Sequence, residues 1–179
     1  MRVTIPWLLL SACCAAPLAA QEPVAKPPPD PAALLEAAKA KAAKANKRIL
    51  VAFLGATCER SASLAAALDG DAALKRCCLY EFEVVRADAQ KDSELAKRLC
   101  VDPKAGTPAL LVLDRAGQPI AALAPESYAD GTKVVTEKLI EALKPHQATP
   151  LDADTVLADA LAKAKASERR VLVHLGAPW

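Results

Sequence analysis

One stretch limits what this chain can fold into more than any other. Ile49-Leu50-Val51-Ala52-Phe53-Leu54 is an unbroken apolar run of strand length, and it stops abruptly at Gly55-Ala56-Thr57. A strand apolar at every position is buried on both faces, which calls for helices on both sides of its sheet. Cys58 follows the break and opens a helical stretch, Glu59-Arg60-Ser61-Ala62-Ser63-Leu64. A thiol at a helix N-terminus sits at the positive end of the helix dipole, beside backbone N–H groups without partners. Both favour the thiolate, which is the nucleophilic form. Three residues on stands Ser61 rather than a second cysteine, so the chemistry on offer is that of one sulfur.

The chain of 179 residues has room for one ordinary domain and little more. Aromatic residues make up 3% of it, so the core must be built from Leu, Val, Ile and Ala. A net charge of +2, with lysines spread over helical faces and no aromatic interleaving, argues against nucleic acid as a partner. Residues 1–20 have the form of an export signal: Arg2, a mainly apolar stretch from Val3 to Ala16, and Leu18-Ala19-Ala20 as a small-residue cleavage site. Leu10-Ser11-Ala12-Cys13 also fits a lipobox, which would make Cys13 a lipidation site and hold the chain to a membrane face. Export leaves Cys58, Cys77, Cys78 and Cys100 in an oxidising compartment, periplasmic or extracellular, where disulfides persist. A structural bond from Cys77 or Cys78 to Cys100 is one option, and four cysteines leave the pairing open. The histidines, His146 and His174, stand at no spacing that suits zinc, so no metal site is expected, and no cofactor.

Residues 21–30 form a Pro-rich tether. Asp30-Pro31 then reads as an N-cap followed by proline at the first helical position, and Leu34, Leu35, Ala38, Ala42 and Ala45 recur at helical spacing. After the 49–54 strand come a helix to about Leu68, a strand over Phe82–Asp88 and a short helix over Ser93–Leu99. A strand over Ala109–Asp114 follows, turning at Arg115-Ala116-Gly117-Gln118 into an antiparallel strand over Pro119–Leu123. A closing helix runs from about Lys133 to Leu143. The order β-α-β-α-β-β-α describes a mixed sheet with helices on both faces, placed at residues 31–145.

Beyond a linker at 146–152 the pattern starts again. Val156, Leu157, Ala160, Leu161 and Ala164 give a helix, and Arg170–Leu175 a strand. Arg170-Val171-Leu172-Val173 and Gly176-Ala177 echo Arg48-Ile49-Leu50-Val51 and Gly55-Ala56 about 120 residues downstream, a domain-sized repeat. Residues 153–179 are therefore expected to be the truncated start of a second unit, and the chain a fragment of a longer protein.

Strand, Gly-Ala-Thr-Cys-x-x-Ser, helix, then Gly106-Thr107-Pro108 before a hairpin: this ordered set resembles the thioredoxin superfamily. The tail's Gly176-Ala177-Pro178-Trp179 resembles the string that leads into the family's Cys-x-x-Cys motif. The resemblance implies a cis bond between Thr107 and Pro108, with Pro108 against Cys58 and the exposed backbone edge there docking polypeptide substrate. It makes Cys58 the attacking sulfur, puts Ser61 at the resolving position, and places Glu59 and Arg60 as modulators between them. Three departures from the family pattern matter. Thr57 replaces the usual tryptophan, Ser61 cannot resolve a mixed disulfide, and Ala52 stands near the place of a buried proton-shuttling acid. The function expected is thiol–disulfide exchange with exported protein thiols or disulfides through one reactive cysteine. The alternative is a non-catalytic thioredoxin-fold adaptor in the cell envelope.

Overall fold

A computed structural model of the chain describes residues 30–102 and 106–173. The segment proposed as signal, residues 21–29 of the tether, and Cys13 lie outside them, as do His174 and the end of the tail. Helix α1 (Pro31–Ala45) starts as its sequence dictates: the Asp30 carboxylate accepts the Ala32 N–H at 3.1 Å, and Pro31 occupies the first turn. It ends at Asn46, which is left-handed (φ 52°) and donates its N–H to the Ala42 carbonyl. Two residues later the chain enters β1 (Arg48–Leu54).

The sheet has the order β2-β1-β3-β4, with β2 at Phe82–Asp88, β3 at Ala109–Leu113 and β4 at Pro119–Leu123. β1 pairs parallel with β2 (Leu50 opposite Val84) and antiparallel with β3 (Val51 opposite Leu111); β4 closes the hairpin on β3. Since successive side chains point to opposite faces, β1 feeds two cores at once. Ile49, Val51 and Phe53 pack with Leu35, Ala38 and Ala42 of α1 and with Leu95 and Ala96 of α4 (Ser93–Arg98). On the other face lie α2 (Glu59–Gly70), α3 (Ala72–Glu81) and α5 (Thr136–Leu143). There Leu50 and Ala52 meet Leu64, Leu68, Leu74, Leu139 and Leu143. Residues 49–53 are all buried, the state the apolar run calls for.

Three features differ from the sequence reading. The α2 helix runs on to Gly70, and α3 follows after Asp71 alone, whose carboxylate caps it by accepting the Leu74 N–H at 2.8 Å. The closing helix begins at Thr136, because Lys133–Val134 is a strand, β6, paired with β5 (Ala129–Asp130) about Gly131. Arg170–Val173 is in no strand, and Leu172 is 92% exposed. A strand needs a neighbour for its backbone groups, and this segment has none among the described residues. The helix before it, α6 (Ala153–Ala166), forms on an Asp152 cap but buries no residue.

Phe53→Ala empties a fully enclosed site and is expected to cost about 3–5 kcal/mol, read from denaturant unfolding. Amide exchange separates the tail from the core. The α6 amides should exchange orders of magnitude faster than those of β1; equal protection would show that α6 is packed.

Candidate functional site

β1 leaves the sheet at Leu54, and the next four residues set the geometry of the thiol. The Cys58 N–H donates to the Gly55 carbonyl at 3.2 Å, closing a tight turn, and Cys58 becomes the extended N-cap of α2. The Gly55 N–H donates to Ser61 Oγ at 3.0 Å. Gly55 has no side chain for a spatial reason: a Cβ there would lie 2.5 Å from Thr107 Oγ1 and 3.3 Å from Cys58 Cβ. The glycine thus lets the 107–108 loop close onto the sulfur.

Thr107–Pro108 is a cis peptide. The Cys58 thiol donates to the Thr107 carbonyl at 3.0 Å, joining the helix start to that loop. This bond holds the neutral thiol; other groups hold the anion. Burial acts first and pushes the Cys58 pKa up. It is outweighed by the hydroxyls of Ser61 and Thr107 and by the backbone N–H groups of Ser61 and Arg60, which bring it down to about 7. Those N–H groups make no cap bond to the neutral sulfur but lie where a helix start favours negative charge. Ser61 is 2% exposed, the sole buried polar residue among those described. Because its oxygen already accepts from Gly55, its own proton is free to turn to the sulfur.

The modulators expected between Cys58 and Ser61 divide. Glu59 is exposed. The Arg60 guanidinium is drawn away: its Nε donates to the Gly131 carbonyl at 2.9 Å, and only its backbone N–H acts on the thiolate. Ala52 is fully buried, so no carboxyl stands at that place.

The other cysteines lie apart. All four in the described residues carry free thiols. Cys77 and Cys78 belong to α3, and Cys78 packs in the cluster beneath α2; burial pushes the Cys77 thiol up, and that of Cys78 to about 12. Cys100 follows α4, which packs on the opposite face of the sheet, and is exposed. The sheet therefore separates Cys100 from the pair proposed as its partners, and no bond joins them. Cys100 lines instead a groove of about 660 Å³ that passes Arg60, Thr107 and Pro108 and follows β4 to Glu126. No three His, Cys, Asp or Glu residues come together among those described. No described helix is long and apolar enough to cross a membrane.

Sequence reasoning missed Tyr128. It is fully buried, and its hydroxyl donates to the Pro108 carbonyl at 3.3 Å. Burial raises its phenol to about 12, Glu126 and the Cys58 charge adding to the rise and Arg60 opposing it. An aromatic in so aromatic-poor a chain was the available signal.

Two outcomes are expected at this site. Site-resolved alkylation of Cys58 against pH should show a midpoint near 7, with Cys78 unreactive. Ser61→Ala should move that midpoint up by about one unit. Because folding lowers the Cys58 pKa, the anion adds stability above the unfolded thiol's pKa, and that stability is lost as pH falls through about 7.

Comparison with known proteins agrees with this architecture. Residues 30–115 match the family model described as Thioredoxin-like. A disulphide isomerase from Xylella fastidiosa Temecula1 is similar in structure, with a TM-score of 0.58 and 19% identity, over 71% of this chain and 98% of that one. The C-terminal domain of Neisseria meningitidis DsbD, in its oxidised form, gives 0.48 and 20%, over 66% of this chain and 97% of that one. No curated protein matches the chain. The first likeness, at that identity, speaks for the fold. With helices on both faces of a mixed sheet and a thiol where the central strand meets a helix, the fold is thioredoxin-like, and residues 30–115 carry the sequence match to that family.

Proposed function

We propose that this chain is an exported thiol–disulfide exchange protein that works through one sulfur, Cys58. The thiolate attacks one sulfur of a substrate disulfide; the new S–S bond forms as the old one breaks, and the departing thiolate takes up a proton. A mixed disulfide between Cys58 and the substrate results. Ser61 cannot attack it, so release falls to another thiolate: one within the substrate, which completes an isomerisation, or an external small thiol. The Thr107–Pro108 edge docks the extended polypeptide next to the sulfur.

The observation that carries this reading is the set of donors at Cys58. Two hydroxyls and two backbone N–H groups stabilise the anion, leaving it well populated at neutral pH. A purely structural cysteine needs none of them. The buried Ser61 hydroxyl adds weight, since its bond from Gly55 orients it for this task. Export rests on the sequence of residues 1–20, and attachment to a membrane face would follow only from lipidation at Cys13.

Refolding of a scrambled disulfide-bonded substrate in a glutathione buffer tests the reading. The wild-type chain should accelerate it, and Cys58→Ala should fall to the uncatalysed background. A wild-type chain that gives no acceleration, yet binds the same substrate equally well with and without the Cys58 sulfur, would establish the adaptor in its place.

A further inference from the structure

The backbone around Pro108 has a gap that, among the described residues, one side chain fills. The Ala89 N–H donates to the Leu54 carbonyl at 2.9 Å, so Leu54 turns its polar groups to the β2 side. The β1–β3 register, with Phe53 opposite Ala109, places Pro108 opposite Leu54 at the next step. In an antiparallel ladder a residue's N–H and C=O share one side, so Pro108 turns its carbonyl away from β1 and toward β4. There the observed register ends with Leu110 opposite Leu123; carried two residues further it sets Pro125, the first residue of a 3-10 turn (Pro125–Ser127), opposite Pro108. Neither proline has an N–H, so the ladder can offer this carbonyl no donor. The Tyr128 hydroxyl, three residues past Pro125 and fully buried, reaches it at 3.3 Å.

The segment that carries Tyr128 is fastened to the other half of the thiol site as well. Arg60 Nε donates to the Gly131 carbonyl at 2.9 Å, and the Val134 N–H donates to Ser63 Oγ at 2.9 Å. One strap, residues 128–134, therefore holds both the first turn of α2, which presents Cys58, and the loop that presents Thr107. The charged groups facing Tyr128 are Arg60 and Glu126, with Cys58 as the third titratable neighbour.

We infer that Tyr128 is a positioning residue for the thiol site: its hydroxyl supplies the donor that the Pro108 carbonyl lacks and so keeps Thr107 against the Cys58 sulfur. It touches neither the sulfur nor a substrate; it acts through the loop. Without the hydroxyl the loop loses its tie at Pro108, the Thr107 hydroxyl moves off the sulfur, and the thiolate keeps one donor fewer. The inference rests on Cys58 being the reacting thiol.

The test is site-resolved alkylation of Cys58 against pH in the full chain, on wild type, Y128F and P125A/Y128F. Y128F is expected to move the Cys58 midpoint up by about one pH unit, a roughly tenfold loss of thiolate below it. P125A restores a backbone N–H opposite Pro108, and the double variant should titrate as wild type does. A Y128F chain of lowered melting temperature but unchanged Cys58 midpoint would overturn the inference, because a merely structural tyrosine behaves in that way. If Y128F loses its native circular dichroism, the double variant decides: a wild-type midpoint supports the role, and a raised one overturns it. A wild-type Cys58 that titrates as an ordinary thiol contradicts the proposed function instead, whatever Y128F does.

Discussion

The domain depends on one strand with no exposed side. β1 is paired on both edges and covered on both faces, so its five central residues see no water. That burial fixes the register of β2 and β3 and divides the apolar residues into two cores. It also sets where the chain must leave the sheet. With Leu54 held by Ala89 on one side and Phe53 by Ala109 on the other, the exit at Gly55 has little freedom, and Cys58 is delivered to a defined place.

At that place the sulfur is balanced between two sets of partners. The Thr107 carbonyl accepts the thiol proton, while the hydroxyls of Ser61 and Thr107 and the N–H groups of Arg60 and Ser61 favour its loss. A group poised in this way changes protonation state with little rearrangement, because both states find partners already in position. Gly55 makes the balance possible: it donates to Ser61, accepts from Cys58, and leaves room for Thr107 by having no Cβ. At position 61, three residues after the thiol, stands a buried hydroxyl rather than a second sulfur.

Local pattern makes part of this legible in the amino-acid sequence. The run at 49–54, the helix starts at Asp30-Pro31 and Cys58, and the hairpin after Thr107-Pro108 each have a cause within a few residues. The α3 helix is not legible in that way, because its buried stripe is only Leu74 and Cys78 among charged neighbours. Lys133–Val134 reads as helix because its pairing with Ala129–Asp130 is only two residues long, too short to show strand alternation beside the helical spacing that follows. Arg60 has the look of a charge beside the thiol, but the Gly131 carbonyl claims it. The Arg170–Val173 segment has strand composition but, among the described residues, no sheet edge to complete it. Tyr128 stands out in the sequence only as a rare aromatic; its role is not legible there, because its partner is a backbone carbonyl and no spacing encodes that.

If one sulfur does the chemistry and nothing nearby resolves it, the intermediate should accumulate. The decisive experiment mixes the reduced full chain with a peptide whose single cysteine is held as a mixed disulfide with an aromatic thiol, a good leaving group and a poor nucleophile, with no other thiol present, and follows the adduct by intact-mass and peptide-resolved mass spectrometry. The expected product is a long-lived mixed disulfide on Cys58, discharged only when an external thiol is added. Prompt release of reduced peptide with an internal disulfide left in the protein, or adducts formed at Cys100 while Cys58 stays free, would contradict it.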